Sequence, residues 1–199
     1  VRCVIREGLS DVPDELVDFE PELVIASPGF APHHPIIRWA REKNLPVWGD
    51  IELAWRLRDK LGEPPKWLAV TGTNGKTTVT QMAATMALRG GLRAAPCGNI
   101  GVPVLDAIRD PQGFDVLVVE CSSYQLHSVH TVSPDAAIVT NIADDHIDWH
   151  GSADAYVSAK GRIYERAKIA CVYNLADEAT RRLVEEADVV DGCRAIGVG

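Results

Sequence analysis

Residues 70–78, V-T-G-T-N-G-K-T-T, carry the residue types that hold a nucleotide phosphate. Glycines let an anion approach the backbone without a Cβ in the way, and the N–H groups at a helix start can face it. Lys76 can then reach the β- and γ-phosphates, and the Thr77 hydroxyl can ligate Mg²⁺. The general pattern G-x-x-x-x-G-K-[ST] has a glycine where this chain has Val70, so the signature is incomplete at one position. An ordinary strand-to-helix turn is the alternative, and we favour a nucleotide-phosphate site.

A carboxylate follows a second apolar run. Glu120 comes directly after residues 116–119, where a Mg²⁺-binding acid would face a phosphate loop. A surface carboxylate that ends a strand is the alternative. The next residues, 121–126, are rich in hydroxyl and amide groups suited to holding a polar ligand.

Two further groups are ambiguous from the residues alone. Residues 144–150 contain three acids and two histidines, which also suits a solvated acidic turn with Asp as a helix cap. Mg²⁺ prefers oxygen and takes few protein ligands, so a histidine there needs a further argument. Lys160 lies among small residues in a predicted helix, and composition alone favours an exposed helix lysine.

The elements that must position these groups alternate between strand and helix. In the first 64 residues we predict strands at 23–26 and 46–48, a helix at 35–43, and a second helix with Asp50 as its N-cap. This order predicts a parallel sheet with crossover helices. Because residues 62–65, G-E-P-P, cannot continue a helix, we place a domain boundary there, between units 1–64 and 65–199.

The second unit repeats the alternation. Strands are predicted at residues 67–70, 115–120, 136–139, 169–173 and 195–199, and each of the second to fourth ends in or is followed by a polar residue. Ligands of open α/β sheets bind at that edge. Gly90 and Gly91 end the helix after the phosphate loop. Its predicted apolar face consists of Val79, Met82, Ala83, Met86 and Ala87. A later helix holds Val104, Leu105 and Ile108.

Composition limits the class of protein. The net charge of −8 and the lack of a basic run argue against nucleic-acid binding. The sequence contains no apolar run of 18 residues, so no membrane span is predicted. No signal peptide is predicted at residues 1–7, because their apolar run is too short. The five scattered cysteines are expected to be reduced thiols in a cytoplasmic protein: Cys3, Cys97, Cys121, Cys171 and Cys193. The chain begins without Met inside a predicted strand and ends in another, so we expect a piece of a longer protein.

Five motifs, in order and at similar spacings, resemble the Mur ligases of peptidoglycan synthesis. They are T-G-T-N-G-K-T-T, G-N-I-G, E-C-S-S-Y-Q-L, N-I-A-D-D-H-I-D-W-H-G and A-Y-V-S-A-K, within a resemblance that covers about residues 20–175. E-C-S-S-Y-Q-L, with the upstream A-S-P-G and G-D-I-E-L, resembles the branch that adds D-glutamate to UDP-N-acetylmuramoyl-L-alanine. Relatives that add meso-diaminopimelate or lysine more often have S-S-H.

The resemblance implies a three-domain enzyme, of which this chain would hold two parts. Residues 1–64 would be part of a Rossmann-like domain for the UDP moiety. Residues 65–199 would be a P-loop-type central ATPase domain with a mostly parallel sheet. The opening Gly-rich turn and the amino-acid-binding domain would be missing, so we expect the 199 residues alone to be inactive. The partners would be the two substrates, and the enzyme would be a cytoplasmic monomer.

The resemblance also implies roles for single residues. The ATP-binding residues would be Gly72, Thr73, Asn74, Gly75, Lys76, Thr77 and Thr78. One Mg²⁺ would be held by Thr77 and Glu120, and a second would lie near His146 and Lys160, where the family's lysine is carbamylated by CO₂. A carbamate supplies the oxygens that a hard cation prefers. Substrate-binding residues would be Ser27, Pro28, Gly29, Asn99, Ser122, Gln125 and His146. Catalytic residues would be Lys76, Glu120, His146 and Lys160.

The implied reaction is phosphoryl transfer from ATP to the alanine carboxylate, followed by attack of the D-glutamate amine on the acyl phosphate. Another ligase of the superfamily is an alternative: a different muramyl-peptide ligase, or a folylpolyglutamate synthase, which more often has G-K-G-S. A non-catalytic nucleotide-binding protein would be expected to lack Glu120 or Lys160. A P-loop kinase or GTPase would lack the His146/Lys160 pair, and the chain has no N-K-x-D signature.

Overall fold

A computed structural model describes residues 11–60 and 62–199 of the chain. The strand predicted at the start of the chain and Cys3 lie outside these residues. The described strands form two sheets, and every pairing in both is parallel. The first sheet contains β1 (Val24–Ile25) and β2 (Val47–Trp48).

The second sheet has the order β4-β5-β3-β6-β7-β8. Its strands are β3 (Lys66–Thr71), β4 (Ala94–Gly98), β5 (Val116–Glu120), β6 (Ala136–Val139), β7 (Ala170–Asn174) and β8 (Arg194–Val198). Because β3 lies between β5 and β6, the carboxyl ends of these three strands meet at the centre of one edge. The predicted α/β class with a mostly parallel sheet is confirmed.

Helices connect the strands in the described ranges. They are α1 (Asp14–Phe19), α2 (Pro35–Glu42), α3 (Asp50–Leu57), α4 (Lys76–Arg89), α5 (Val104–Ala107), α6 (Ser123–His127), α7 (Ile147–His150), α8 (Ala153–Gly161) and α9 (Glu178–Glu185). A 3₁₀ turn, Arg162–Tyr164, follows α8. No helix in the described part of the chain is long and apolar enough to cross a membrane.

The apolar face predicted for α4 is partly wrong. Thr80 and Ala84 are its buried residues, whereas Met82 and Met86 are 58% and 70% exposed. Small side chains on the inner face let α4 lie close to β4 and β5, and the methionines lie on the opposite side of the helix. Helical spacing marked apolar residues correctly, but it could not show which of them face the sheet.

The first helix after β2 starts differently from the prediction. Gly49 is the N-cap of α3, and Asp50 is its first helical residue, with no side-chain cap bond from Gly49. The Asp50 carboxylate instead accepts a hydrogen bond from Gln125 Nε2 at 2.8 Å. Asp50 therefore links α3 to α6, and the predicted N-cap role is wrong.

Helix α3 also packs on the second sheet. Ile51, Ala54 and Trp55 belong to the same buried cluster as Trp67 of β3. The two tryptophan rings meet edge to face, with centroids 5.2 Å apart. Along the chain, the described strands of the first sheet precede residue 64 and those of the second sheet follow it. The domain boundary there remains a prediction.

A buried carboxylate fixes α3 against the segment after α6. Glu52 is fully buried and accepts hydrogen bonds from the N–H groups of His130 (2.8 Å) and Thr131 (3.0 Å). It also accepts from the Thr131 hydroxyl and from Arg56 Nε, both at 2.7 Å. Burial alone would raise the pKa of Glu52, but these donors outweigh it and the pKa is lowered.

We expect Glu52→Ala to lower the free energy of unfolding by about 3 kcal/mol, because four buried or partly buried donors lose their acceptor. Urea unfolding of the chain measures this loss.

Since the folded pKa lies below the unfolded one, the contribution of Glu52 is present above the unfolded pKa and fades as pH falls through the folded pKa. Glu52→Gln should make the free energy of unfolding less dependent on pH in this acidic range, because glutamine does not titrate. The control is Glu185→Ala, an exposed partner of Arg181, for which a loss under about 0.5 kcal/mol is expected. Equal losses in Glu52→Ala and Glu185→Ala would contradict the prediction.

Cysteines of the described residues carry free thiols. Cys97, Cys121 and Cys171 are buried, and Cys193 is partly exposed. Burial raises the pKa of Cys97 to about 12.

Candidate nucleotide-binding site

The loop between β3 and α4 has a backbone that requires glycine. Gly72 has φ +146°, and a Cβ there would lie 1.9 Å from the Thr140 hydroxyl oxygen. Gly75, with φ +78°, is the N-cap of α4. The first N–H groups of a helix have no partner within it, so those at the start of α4 are suited to an anion. The predicted phosphate loop therefore has the expected strand, turn and helix.

Residues just after β6 hold this loop from one side. Asn141 accepts the N–H of Thr73 on its backbone oxygen (2.8 Å) and the N–H of Asn74 on its side-chain oxygen (2.9 Å). The Asn74 carbonyl in turn accepts from Thr140 Oγ1 (2.6 Å) and Asn141 Nδ2 (2.9 Å). The sequence pattern identifies these two residues only as the polar end of a strand and indicates no role for them. The pairing of β3 with β6 in the sheet brings Thr140 and Asn141 to the loop, and this pairing could not be read from the sequence.

The loop lysine lies across its own turn. Lys76 Nζ donates to the Thr73 carbonyl at 2.9 Å. This places the ammonium group over the loop, at the start of α4. A rotation of the Lys76 side chain would therefore bring its ammonium group to a phosphate bound at the helix start.

Three predicted site residues meet at the end of β5. The Glu120 carboxylate accepts from the Thr77 hydroxyl on one oxygen and from Asn99 Nδ2 on the other, both at 2.9 Å. Glu120 is 1% exposed, so the alternative of a surface carboxylate is wrong. A hydroxyl and a carboxylate side by side are oxygen ligands of the kind that Mg²⁺ takes, so the donor set fits this cation.

Lys160 is buried, and the exposed lysine favoured by composition is wrong. It is 2% exposed, and its Nζ donates to the Gly72 carbonyl at 2.7 Å and lies 3.5 Å from Thr71 Oγ1. Burial, together with the charge of Lys76, lowers the pKa of Lys160 to about 7. The packing of α8 turns this side chain toward the phosphate loop, which residue counting could not show.

His146 lies at the surface beside a ring cluster. It is the N-cap of α7, with φ 50°, and its Nε2 lies 3.3 Å from an Asp145 carboxylate oxygen. Its ring centroid is 4.8 Å from Tyr124 and 6.4 Å from Tyr156, and Lys160 Nζ lies 4.8 Å from the same Tyr156 ring. The Tyr156 ring thus lies near both residues of the predicted second cation site. Among the described residues, no group of three His, Cys, Asp or Glu side chains is arranged to hold a metal.

Two predicted substrate residues build a helix start. Ser122 and Gln125 form a reciprocal capping box at α6, and Gln125 Nε2 donates to Asp50. Gln125 is 4% exposed, so both polar ends of its amide are used within the protein. These side chains position the segment that follows Glu120. Their contact with a substrate remains a prediction.

The predicted turn at residues 27–29 lies away from the phosphate loop, at a cavity of about 400 Å³. Ser27 and Pro28 line it together with Arg41 and His127. Arg41 lies 3.3 Å from His127 Nε2, and burial together with Arg41 lowers the pKa of His127 to about 4. The first sheet and the segment after α6 therefore share one concave surface.

The parallel sheet, the glycine-dependent loop and the Thr77–Glu120 pair define a nucleotide-binding domain of the phosphate-loop class. The family model described as "Mur ligase middle domain" matches residues 70–199. The chain belongs to the Mur ligase family.

Relatives in two organisms show how much of the chain is shared. A protein of Leifsonia xyli named UDP-N-acetylmuramoylalanine–D-glutamate ligase is 61% identical over 98% of this chain and 40% of its own length. One of Streptomyces coelicolor with the same name is 56% identical over 88% of this chain and 38% of its own length. The chain thus spans about two fifths of these relatives.

Solved structures share the fold at lower identity. A UDP-N-acetylmuramoyl-L-alanyl-D-glutamate–2,6-diaminopimelate ligase superposes with a TM-score of 0.59 at 21% identity, over 89% of this chain and 47% of that one. The MurF ligase of Thermotoga maritima, described in complex with ADP, gives 0.56 at 21% identity, over 92% and 43%.

Proposed function

We propose that this chain is the ATP-binding part, with some of the substrate-binding part, of a cytoplasmic ligase that adds D-glutamate to UDP-N-acetylmuramoyl-L-alanine in peptidoglycan precursor synthesis. The observation that carries the proposal is the 61% identity, over nearly the whole chain, to a relative of that name. The contact of Thr77 with Glu120 at the phosphate loop supports it.

In this proposal, residues 72–78 bind ATP and Lys76 leaves the Thr73 carbonyl to reach its terminal phosphates. The alanine carboxylate attacks the γ-phosphorus, the bond to the β-phosphate oxygen breaks, and ADP leaves. The D-glutamate amine then attacks the acyl carbon, loses a proton and displaces phosphate. Lys76 neutralises charge on the transferring phosphoryl group. Electrostatic stabilisation of this kind makes the largest contribution to catalysis of phosphoryl transfer.

Thr77 and Glu120 would hold one Mg²⁺, and His146 and Lys160 would lie beside a second. When bound, the cations neutralise charge on the transferring phosphoryl group and help to orient it. The Thr77 hydroxyl would turn its lone pairs to the metal and release one Glu120 oxygen, and Asn99 would continue to orient the carboxylate through the other.

We further propose that Lys160 is carbamylated. A neutral amine adds to CO₂, giving a carbamate and one proton. The buried position of Lys160 beside the phosphate loop disfavours its charged form and thus favours the reacting one. The carbamate would provide oxygen ligands at a place where an ammonium group cannot ligate a cation.

The cavity at Ser27 and Pro28 is the proposed site for the UDP portion of the substrate. It lies at the carboxyl end of β1 and along β2, and open parallel sheets bind ligands at the carboxyl edge of their strands. Asn99 would act from the other side, beside Glu120, near the reacting carboxylate.

The test is substrate specificity in the full-length gene product. We expect ADP and phosphate to form only when UDP-N-acetylmuramoyl-L-alanine and D-glutamate are both present, as measured by phosphate release and by mass spectrometry of the product. L-Lysine and meso-diaminopimelate in place of D-glutamate are the controls. Full turnover with either would contradict the D-glutamate assignment, and ATP binding without turnover would favour a non-catalytic nucleotide-binding protein.

A further inference from the structure

A buried tyrosine contacts the phosphate loop. Tyr156 of α8 is 2% exposed, and its hydroxyl lies 2.9 Å from Thr73 Oγ1. The same threonine oxygen accepts the Ala143 N–H at 2.9 Å and lies 3.2 Å from the Ala143 carbonyl. When Thr73 donates to that carbonyl, Tyr156 donates to Thr73, and all three groups are satisfied.

The surroundings of Tyr156 fix where its hydroxyl can lie. Its ring centroid is 5.5 Å from that of His150, and Lys160 Nζ lies 4.8 Å from it. A buried ring packed in this way has little rotational freedom. The hydroxyl is therefore a rigid point against which the third position of the phosphate loop is held.

We infer that Tyr156 is a positioning residue that fixes Thr73 and thereby holds the phosphate loop ready for nucleotide. Nothing in the sequence patterns assigns it a role. The inference deepens the proposed function and rests on its nucleotide site. It predicts that losing one hydroxyl, with the ring kept, weakens nucleotide binding more than it weakens the fold.

The mechanism is preorganisation of the loop. Thr73 and Asn74 already donate their N–H groups to Asn141, so the loop is held from the β6 side, and Tyr156 holds it from the α8 side. Without the second contact the loop samples open conformations more often, and each opening exposes those two amides to water. Nucleotide must then order the loop again when it binds, which lowers affinity.

Tyr156→Phe removes the hydroxyl and leaves the ring beside Lys160. The matched control is Tyr164→Phe, since Tyr164 is also buried and its hydroxyl donates to the Val172 carbonyl at 2.6 Å and accepts from Val139 N–H at 3.2 Å. That hydroxyl touches the sheet backbone and not the loop. Both variants lose one buried hydrogen-bonding group, so they separate loop positioning from general stability.

The first measurement is hydrogen exchange at the Thr73 and Asn74 amides of the chain without nucleotide. We expect both amides to exchange roughly tenfold faster in Tyr156→Phe and at the parental rate in Tyr164→Phe. The second is calorimetry with ADP and Mg²⁺, for which we expect the dissociation constant to rise roughly tenfold in Tyr156→Phe only.

Thr73→Val tests the same contact from its other end, and Thr73→Ser keeps the hydroxyl. We expect the valine variant to show at least the effect of Tyr156→Phe, since it also loses the two Ala143 contacts, and the serine variant to stay near the parent. The double variant should match the valine variant, because the Tyr156 contact is already lost there. Unchanged exchange, an unchanged dissociation constant, or equal effects in Tyr164→Phe would overturn the inference. If the parental chain binds no ADP, the proposed function fails, and the exchange rates still decide whether Tyr156 holds the loop.

Discussion

Lys76→Ala in the full-length gene product is expected to lower the rate of acyl-phosphate formation by at least about 100-fold, while the fold stays intact. Loss of one electrostatic contact to developing charge costs on the order of 3 kcal/mol, and each 1.36 kcal/mol is about a factor of ten in rate. The side chain bonds to a carbonyl of its own loop, at 2.9 Å, and takes no part in the buried cores. Folding therefore loses little.

The measurement is single-turnover formation of ADP from ATP with UDP-N-acetylmuramoyl-L-alanine and D-glutamate both present. Lys66→Ala is the matched control, since Lys66 is an exposed lysine at the start of β3, the strand that leads into the loop. We expect the control to keep the parental rate, and circular dichroism to be unchanged in both variants. A near-parental rate in Lys76→Ala would mean that this loop is not the ATP site.

Much of the sheet was predictable because parallel strands buried on both faces give continuous apolar runs. All five residues of β5 are buried, and its apolar run and terminal Glu120 were recognised from the sequence. The phosphate loop was also predictable, since its backbone demands glycine at positions 72 and 75. In both cases local geometry restricts the residue type, so the residue type reveals the geometry.

The orientation of single side chains was less predictable. Met82 and Met86 have the spacing of an inner helix face, yet Thr80 and Ala84 face the sheet because the close approach of α4 favours small residues. Asp50 suits an N-cap by type, but its carboxylate bonds to Gln125, 75 positions further along the chain. Neither outcome depends on local sequence. Both depend on which elements become neighbours.

The same limit applies to the candidate site. Glu120 and Thr77 were predicted from elements that sequence patterns identify, whereas Asn99 was assigned only by family resemblance, and the structure brings all three together. Asn141 and Tyr156 were not predicted, although both bond to the loop, since their roles arise from the order β3-β6 and from the packing of α8. Lys160 was assigned inward only by family resemblance, because its composition alone resembles that of a surface lysine.

Lys160→Ala in the full-length gene product is expected to lower turnover by at least about 100-fold, by the same electrostatic argument as for Lys76. A short carboxylic acid such as formate or acetate should restore part of the activity, because it can occupy the vacated space and offer oxygen ligands to the cation. The initial rate of ADP formation, measured with and without the acid, gives both results. Lys168→Ala is the control, since the Lys168 side chain is 41% exposed and its Nζ lies 5.3 Å from the Trp55 ring centroid.

The lowered pKa of Lys160 gives a second readout that does not need activity. In the unfolded chain the pKa of lysine is near 10.5, and in the folded chain that of Lys160 is about 7. Between these values the unfolded state binds more protons, so the free energy of unfolding should rise with pH across this window. Lys160→Ala should remove that rise, and Lys168→Ala should keep it.

These results separate the two descriptions of Lys160. An unmodified lysine that takes no part in the reaction would give nearly parental activity and no response to added acid. A carbamylated ligand gives inactivation, partial rescue and a mass increase on Lys160 in the presence of CO₂, observed by native mass spectrometry. Inactivation without a carbamate mass would leave Lys160 as the group that holds the Gly72 carbonyl, at 2.7 Å, and would contradict its role as a cation ligand. Retained activity in Lys160→Ala would show that the reaction requires Lys160 neither as a cation ligand nor as the group that holds the Gly72 carbonyl.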